Sequence, residues 1–134
     1  MMRTVLVVED NIINWKVFER ILTRRGGLVA KHTEDVETVM QMAVNKQADL
    51  ILMDVSLTNS YYDGKAVDGI KITQMLKANP ETAKLPVILV TAHATTGDRE
   101  NFLAQSGADD YIPKPVVDHK AFVEQIKSKL PVDD

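Results

Sequence analysis

The chain has 134 residues, enough for one domain core and too few for two. With 45% apolar and 26% charged residues it has the balance of a globular chain rather than of a disordered one. The formal charge of −3 is spread over interleaved acids and bases, which argues against direct nucleic-acid binding and against a polybasic membrane attachment; the lack of cysteine excludes disulfides, thiolate zinc sites and cysteine nucleophiles.

In chain order, Met1-Met2-Arg3-Thr4 leads directly into a short β-branched strand over residues 4–8. That apolar run is too brief for a signal peptide or a membrane helix, so a cytoplasmic protein without membrane insertion is expected. Ile13, Val17 and Ile21, with Phe18 and Leu22, recur at helical spacing and predict a first helix that Gly26-Gly27 ends. A strand is predicted over 28–31, then a helix carrying Val36, Val39, Met40 and Ala43, then a strand over 50–53. The next stretch is long and turn-rich, and Ile72, Met75 and Leu76 mark the helix after it, closed by Asn79-Pro80 through an asparagine in the left-handed cap. Strands over 87–90 and 111–112 flank a fourth helix ended by Gly107, and Asp118 caps a last helix with the apolar face Phe122, Val123, Ile126.

Three of the five strands read as continuous apolar runs, as strands covered on both faces should. Five alternations of strand and helix predict an α/β chain, a (βα)5 doubly wound five-stranded parallel sheet, because right-handed crossovers place helices on both faces. The expected organisation is a single domain over 1–134 with its core at about 3–130.

In such a sheet a ligand site lies beyond the carboxyl ends of the strands, where strand order switches. The strand ends carry Glu9-Asp10 after the first, Asp54 after the third, Thr91 after the fourth and Lys114 after the fifth. Three carboxylates in one crevice repel one another unless protons or a cation compensate. Mg²⁺ (or Mn²⁺) suits them, since it takes oxygen ligands, keeps several waters and needs only one or two carboxylates plus phosphate oxygens. Lys114 adds a mobile positive charge and Thr91 a hydroxyl donor. With the cation, they could neutralise a phosphoryl group moving in line onto a carboxylate nucleophile. Taken singly, Asp10 reads as a helix N-cap, Asp54 as a turn former and Lys114 as a solvated lysine. Convergence of four strand ends is what favours chemistry.

At Val7-Val8-Glu9-Asp10-Asn11, Leu52-Met53-Asp54-Val55, Asp68-Gly69, the run from Pro86 to His93, and Asp110-Tyr111-Ile112-Pro113-Lys114-Pro115, the sequence resembles the bacterial response-regulator receiver family, CheY-like domains of flavodoxin-like fold. The resemblance covers nearly the whole chain. It implies a two-component phosphorelay protein in which Asp54 accepts a phosphoryl group from a phosphohistidine of a histidine kinase or histidine phosphotransfer protein. It further implies that Glu9 and Asp10 are the acids that hold Mg²⁺ with Asp54, and that the Ser56 backbone carbonyl completes the metal sphere. Thr91 then matches the switch hydroxyl, Tyr111 the aromatic switch position, Lys114 the family's lysine, and Lys114-Pro115 a cis peptide. With no DNA-binding appendage, a downstream effector protein would read the phosphorylated state on the face of the fourth helix, fifth strand and fifth helix. Asp10-Asn11-Ile12-Ile13-Asn14 and the run from Thr91 to Glu100 look closest to receivers of hybrid-kinase relays.

Trp15 lies at the margin of the first helix's apolar stripe and reads as half-buried packing. His93 falls near the expected site as a solvent-facing loop residue, and neither His32 nor His119 forms a ligand pattern with it. Two features depart from the family. The stretch between Asp54 and Asp68-Gly69 is longer than usual, with Thr58 in place of a proline, and there is an added residue near Gln105-Ser106. Residues 57–67 contain Asn59-Ser60-Tyr61-Tyr62-Asp63-Gly64-Lys65, and two readings stand: a mobile surface loop, or a partner contact through the tyrosines.

Among competing functions, a phosphohydrolase of the haloacid-dehalogenase type needs an aspartate where Ser56 stands. A flavin-binding module would meet repulsion between its phosphate and Glu9-Asp10. A degenerate receiver serving as an interaction scaffold should lack at least one of the five site residues, and all five are present.

Overall fold

The computed structural model describes residues 3–57, 61–92 and 96–130. Strands with neighbours on both sides and helices on both faces need unbroken apolar runs. Three supply them: β1 (Thr4–Val8), β3 (Leu50–Asp54) and β6 (Val87–Thr91), buried throughout except at Thr4. The edge strands, β2 (Val29–Thr33) and β7 (Asp110–Pro113), are more mixed. All five pair in parallel in the order β2-β1-β3-β6-β7, with Val5 opposite Leu50 and Met53 opposite Leu89. The chain thus winds outward from β1 in one direction and then in the other, so the reversal lies between β1 and β3.

Helices α1 (Ile12–Arg20) and α5 (His119–Lys129) cover one face, where Phe18 stacks on Phe122 at 5.8 Å. On the other lie α2 (Val36–Val44), α3 (Gly69–Ala78) and α4 (Thr96–Ser106). Val39, Ile72 and Leu76 are fully buried there against Leu6, Ile51 and Leu89. The expected (βα)5 doubly wound sheet is the one observed, with small shifts at strand ends. The second strand begins at Val29 rather than 28 because the Leu28 amide is spent on the Leu22 carbonyl, 3.0 Å away, closing the turn after α1.

Two expectations about the helices are corrected. The buried stripe of α1 holds Phe18, Ile21 and Leu22, whereas Ile13 and Val17 are 70% and 44% exposed. At about 100° per residue, Val17 lies a quarter-turn and Ile13 still further from Phe18, so both face outward despite their spacing. A π turn, Ile21–Arg25, follows α1 and ends at Gly26 and Gly27, the latter at φ 63°. Asn79 ends α3 in extended backbone, φ −92° and ψ 119°, not in the left-handed cap, because the Pro80 ring disfavours helical geometry in the residue before it. Gly107, at φ 78°, does end α4 in the left-handed conformation.

The long stretch after β3 contains an unexpected hairpin of β4 (Tyr61–Tyr62) and β5 (Lys65–Ala66). Asp63 and Gly64, at φ 54° and 78°, give the two left-handed positions that a tight hairpin turn requires. Thr58, Asn59 and Ser60 lie outside the described residues.

Candidate functional site

Each expected group stands at a carboxyl end of the sheet. Glu9 follows β1 and is 1% exposed; Asp54 closes β3 at 3% and Thr91 closes β6 at 0%. The β6–β7 pairing sets Thr91 opposite Pro113, and the Lys114 amide donates to the Thr91 carbonyl at 2.8 Å, which delivers Lys114 to the same edge. The Lys114-Pro115 bond is cis. Lys114 Nζ lies 3.3 Å from Glu9 Oε1 and 3.3 Å from Asp54 Oδ1. One carboxylate oxygen from each of Glu9, Asp10 and Asp54 lies within 4.8 Å of the others.

Local sequence explains why these side chains are available. Asn11, not Asp10, caps α1: its Oδ1 accepts from the amides of Ile13 at 2.9 Å and Asn14 at 3.1 Å. The simple N-cap reading of Asp10 therefore fails, and Asp10 belongs to the carboxylate cluster. Asp54 does more than turn the chain, although the Ser56 amide does donate to its Oδ1 at 3.0 Å. Asp68 caps α3 through the Lys71 amide at 2.9 Å, and the next residue, Gly69, presses on Asp54. A Cβ at Gly69 would sit 2.0 Å from the Asp54 carbonyl oxygen, so only glycine fits beneath this carboxylate.

Electrostatics makes the cluster responsive. Burial, then the hydrogen bond and charge of Asp54, raise the Glu9 carboxyl to about 7, with Lys114 and the Asn11 amide pulling the other way. Lys114 divides its one charge between Glu9 and Asp54.

Tyr111 is buried on the α4 side of the sheet and stacks on Phe102 at 6.4 Å. Thr91 follows Leu89 by two residues, and Leu89 packs in the same cluster as Tyr111, so Thr91 and Tyr111 share a face. Burial first, then the charge of Asp98, pushes the Tyr111 hydroxyl above its ordinary range. Arg99 pairs with Asp110 at 3.5 Å beside it.

Beside Lys114 opens a groove of about 350 Å³ lined by Asn14, Val17, Phe18, Ala92, Pro115 and Val116. Ile12, Ile13, Val17 and Val117 are all exposed. On the opposite face of the sheet the hairpin walls two grooves, about 710 Å³ with Lys71 and Met75 of α3 and about 440 Å³ with Glu37, Met40 and Gln41 of α2. Trp15 is half-buried, as expected, but its ring stacks on His32, and His32 donates from Nε2 to the Glu9 carbonyl at 2.6 Å. Sequence reasoning named His32, Gly69 and Asn11 but gave none of them its role at the site. For the last two, the signals were an Asp-Gly pair at a helix start and an Asn directly before an apolar helical run. His93 lies outside the described residues. No helix among the described residues is long and apolar enough to cross a membrane.

The family model of the response regulator receiver domain matches residues 5–127. The polar-differentiation response regulator DivK of Brucella anthropi is 38% identical over 130 residues, covering 97% of this chain and 98% of DivK. The receiver domain of the sensor histidine kinase PA1611 from Pseudomonas aeruginosa, solved with a magnesium ion coordinated in its active-site cleft, is 32% identical, with TM-score 0.76 and coverage of 97% of this chain and 98% of that one. The chemotaxis protein CheY4 of Vibrio cholerae, at 17% identity and TM-score 0.79 over 97% of this chain and all of that one, shares the fold. An acidic cluster and a bridging lysine at the switch point of the β2-β1-β3-β6-β7 sheet, matched by the family's model from its first strand to its last helix, place this chain in the response-regulator receiver family of two-component signalling.

Proposed function

We propose that Asp54 accepts a phosphoryl group from a phosphohistidine on a histidine kinase or phosphotransfer protein, in a reaction that requires Mg²⁺. The carrying observation is the cluster itself: three carboxylate oxygens within 4.8 Å, with Lys114 shared between two of them. The donor set fits the cation. All of it is hard oxygen, and burial first and Asp54 second raise the Glu9 carboxyl to about 7, a cost that a cation beside it would offset. Glu9, Asp10, Asp54 and the Ser56 carbonyl would hold Mg²⁺, which when bound supplies positive charge to the phosphoryl oxygens.

A carboxylate oxygen of Asp54 forms the new bond to phosphorus while the bond to the donor imidazole nitrogen breaks, and that electron pair leaves with the imidazole. Lys114 moves from Asp54 Oδ1 onto a phosphoryl oxygen, and the Thr91 hydroxyl donates to another. Gly69 keeps the backbone beneath Asp54 in place throughout. Chemistry ends with the chain's own phosphorylation and its reversal, because Ser56 offers no carboxyl for turnover of a small substrate.

The donor protein docks on the apolar rim of the Lys114 groove, which Ile13, Val17 and Val117 leave exposed, and the hairpin flanks the mouth from the other face and selects the donor. Thr91 and Tyr111 shift together to report the new charge to an effector protein on α4, β7 and α5. On this reading the chain acts in the cytoplasm on a separate effector protein; the relative it matches over 98% of that protein's length, DivK, is itself a response regulator.

Borohydride reduction tests the acceptor. After incubation with acetyl phosphate and Mg²⁺, reduction should convert residue 54 alone to homoserine in the peptide map. Reduction of Asp10 to homoserine, or of Glu9 to its own side-chain alcohol, instead of residue 54 would overturn the assignment.

A further inference from the structure

Glu9 stands where β1 runs out of strand partners. The ladder with β2 ends at Val8 and Thr33, and the Glu9 amide reaches the Thr33 carbonyl only at 3.4 Å. By the offset that puts the Val29 amide on the Arg3 carbonyl, Asp35 would be the next donor, to Glu9. The Asp35 amide turns instead to the Thr33 hydroxyl, 3.0 Å away, as Asp35 goes on to cap α2. His32 takes the vacated carbonyl. Its Nε2–H donates to Glu9 O at 2.6 Å, and the Trp15 ring lies against the imidazole with centroids 4.8 Å apart and planes 13° from parallel.

We propose that His32 is a positioning residue for the acid pair: its Nε2–H holds the Glu9 carbonyl, and Trp15 holds the His32 ring, so the backbone from which Glu9 and Asp10 project is set before a divalent cation arrives. This rests on reading Glu9 and Asp10 as cation-holding acids. Simple gap-filling beside α1 would account for the stack but not for a short hydrogen bond to the one carbonyl between the two acids. Partners beyond the ligands commonly change metal affinity by tenfold or more when they fix a ligand directly. His32 acts one step further back, through the backbone, so the lower end of that range is expected. Trp15 is the chain's only tryptophan, and its stack on His32 makes its emission a reporter of the same region.

The test is Mg²⁺ affinity by calorimetry, with Trp15 emission and thermal unfolding followed in parallel, for wild type, His32→Gln and His32→Ala. His32→Ala should bind Mg²⁺ about three- to tenfold more weakly, with the Mg²⁺-dependent emission change lost. His32→Gln, whose amide N–H reaches the same carbonyl, should restore affinity to within about twofold. Should His32→Ala fail to fold, Trp15→Ala, which frees the imidazole but keeps its donor, should show the same weakening in calorimetry. Equal affinity in wild type, His32→Ala and Trp15→Ala would overturn the inference while leaving the cation reading intact. A His32→Gln protein as weak as His32→Ala would also overturn it. Wild type that binds no Mg²⁺ would instead sink the cation reading on which it stands.

Discussion

Glu9 gives the sharpest thermodynamic handle on the site. Its carboxyl is carried from 4.5 to about 7 in the folded chain, by burial first and by Asp54 second. At 1.36 kcal/mol per pK unit, ionising it without a cation costs roughly 3 kcal/mol. Between those two values the folded chain keeps a proton that the unfolded chain has released. The contribution of Glu9 to stability is therefore fully present below about 4.5, falls as pH rises, and is flat again above about 7. Glu9→Gln removes the titration, so its stability should lack this descent. Saturating Mg²⁺ should reverse the trend for wild type, stabilising it more at pH 8 than at pH 5.5, since binding there need not expel a proton. Urea denaturation at half-unit pH steps, in EDTA for wild type and Glu9→Gln and in Mg²⁺ without EDTA for the reversal, measures these curves. If wild type and Glu9→Gln run parallel across the window, burial and Asp54 do not control this carboxyl.

Gly69→Ala should lose about 1–3 kcal/mol by overpacking and slow labelling by acetyl phosphate, because the new methyl meets the Asp54 carbonyl; unchanged urea midpoint and labelling rate would contradict this. Tyr111→Ala should lose about 3 kcal/mol and weaken phosphorylation-dependent effector binding while still being labelled, and an unchanged affinity difference between the two states would show that this switch is not used. Deleting residues 59–65 should preserve Mg²⁺-dependent labelling by a small phosphodonor and slow transfer from the cognate protein. Loss of small-donor labelling in a folded variant, or transfer at the wild-type rate, would reject a recognition role for the hairpin.

The sheet was legible because its strands are apolar runs whose burial needs no detailed partner: residues 50–53 and 87–90 read as strands wherever they pack. The four strand ends were legible for the same reason, since parallel topology alone sends Glu9, Asp54, Thr91 and Lys114 to one edge. What failed depended on local detail or distant contact. Ile13 and Val17 are as apolar as Phe18 but lie off its face, and one exposed edge of a helix looks like another in sequence. Asp63-Gly64 between paired tyrosines and Lys65-Ala66 was a hairpin signal read only as a loop. Asn79 followed the proline rule rather than the asparagine rule. His32 could not have been found, because its bond to the Glu9 carbonyl joins residues 23 positions apart through the end of a ladder.

Intact mass after incubation with acetyl phosphate tests the central claim most directly. One added phosphoryl group is predicted in the presence of Mg²⁺, none in EDTA, and none in an Asp54→Asn variant that keeps the wild-type unfolding curve. Labelling that survives EDTA, or that persists in folded Asp54→Asn, would contradict a Mg²⁺-dependent acceptor at Asp54.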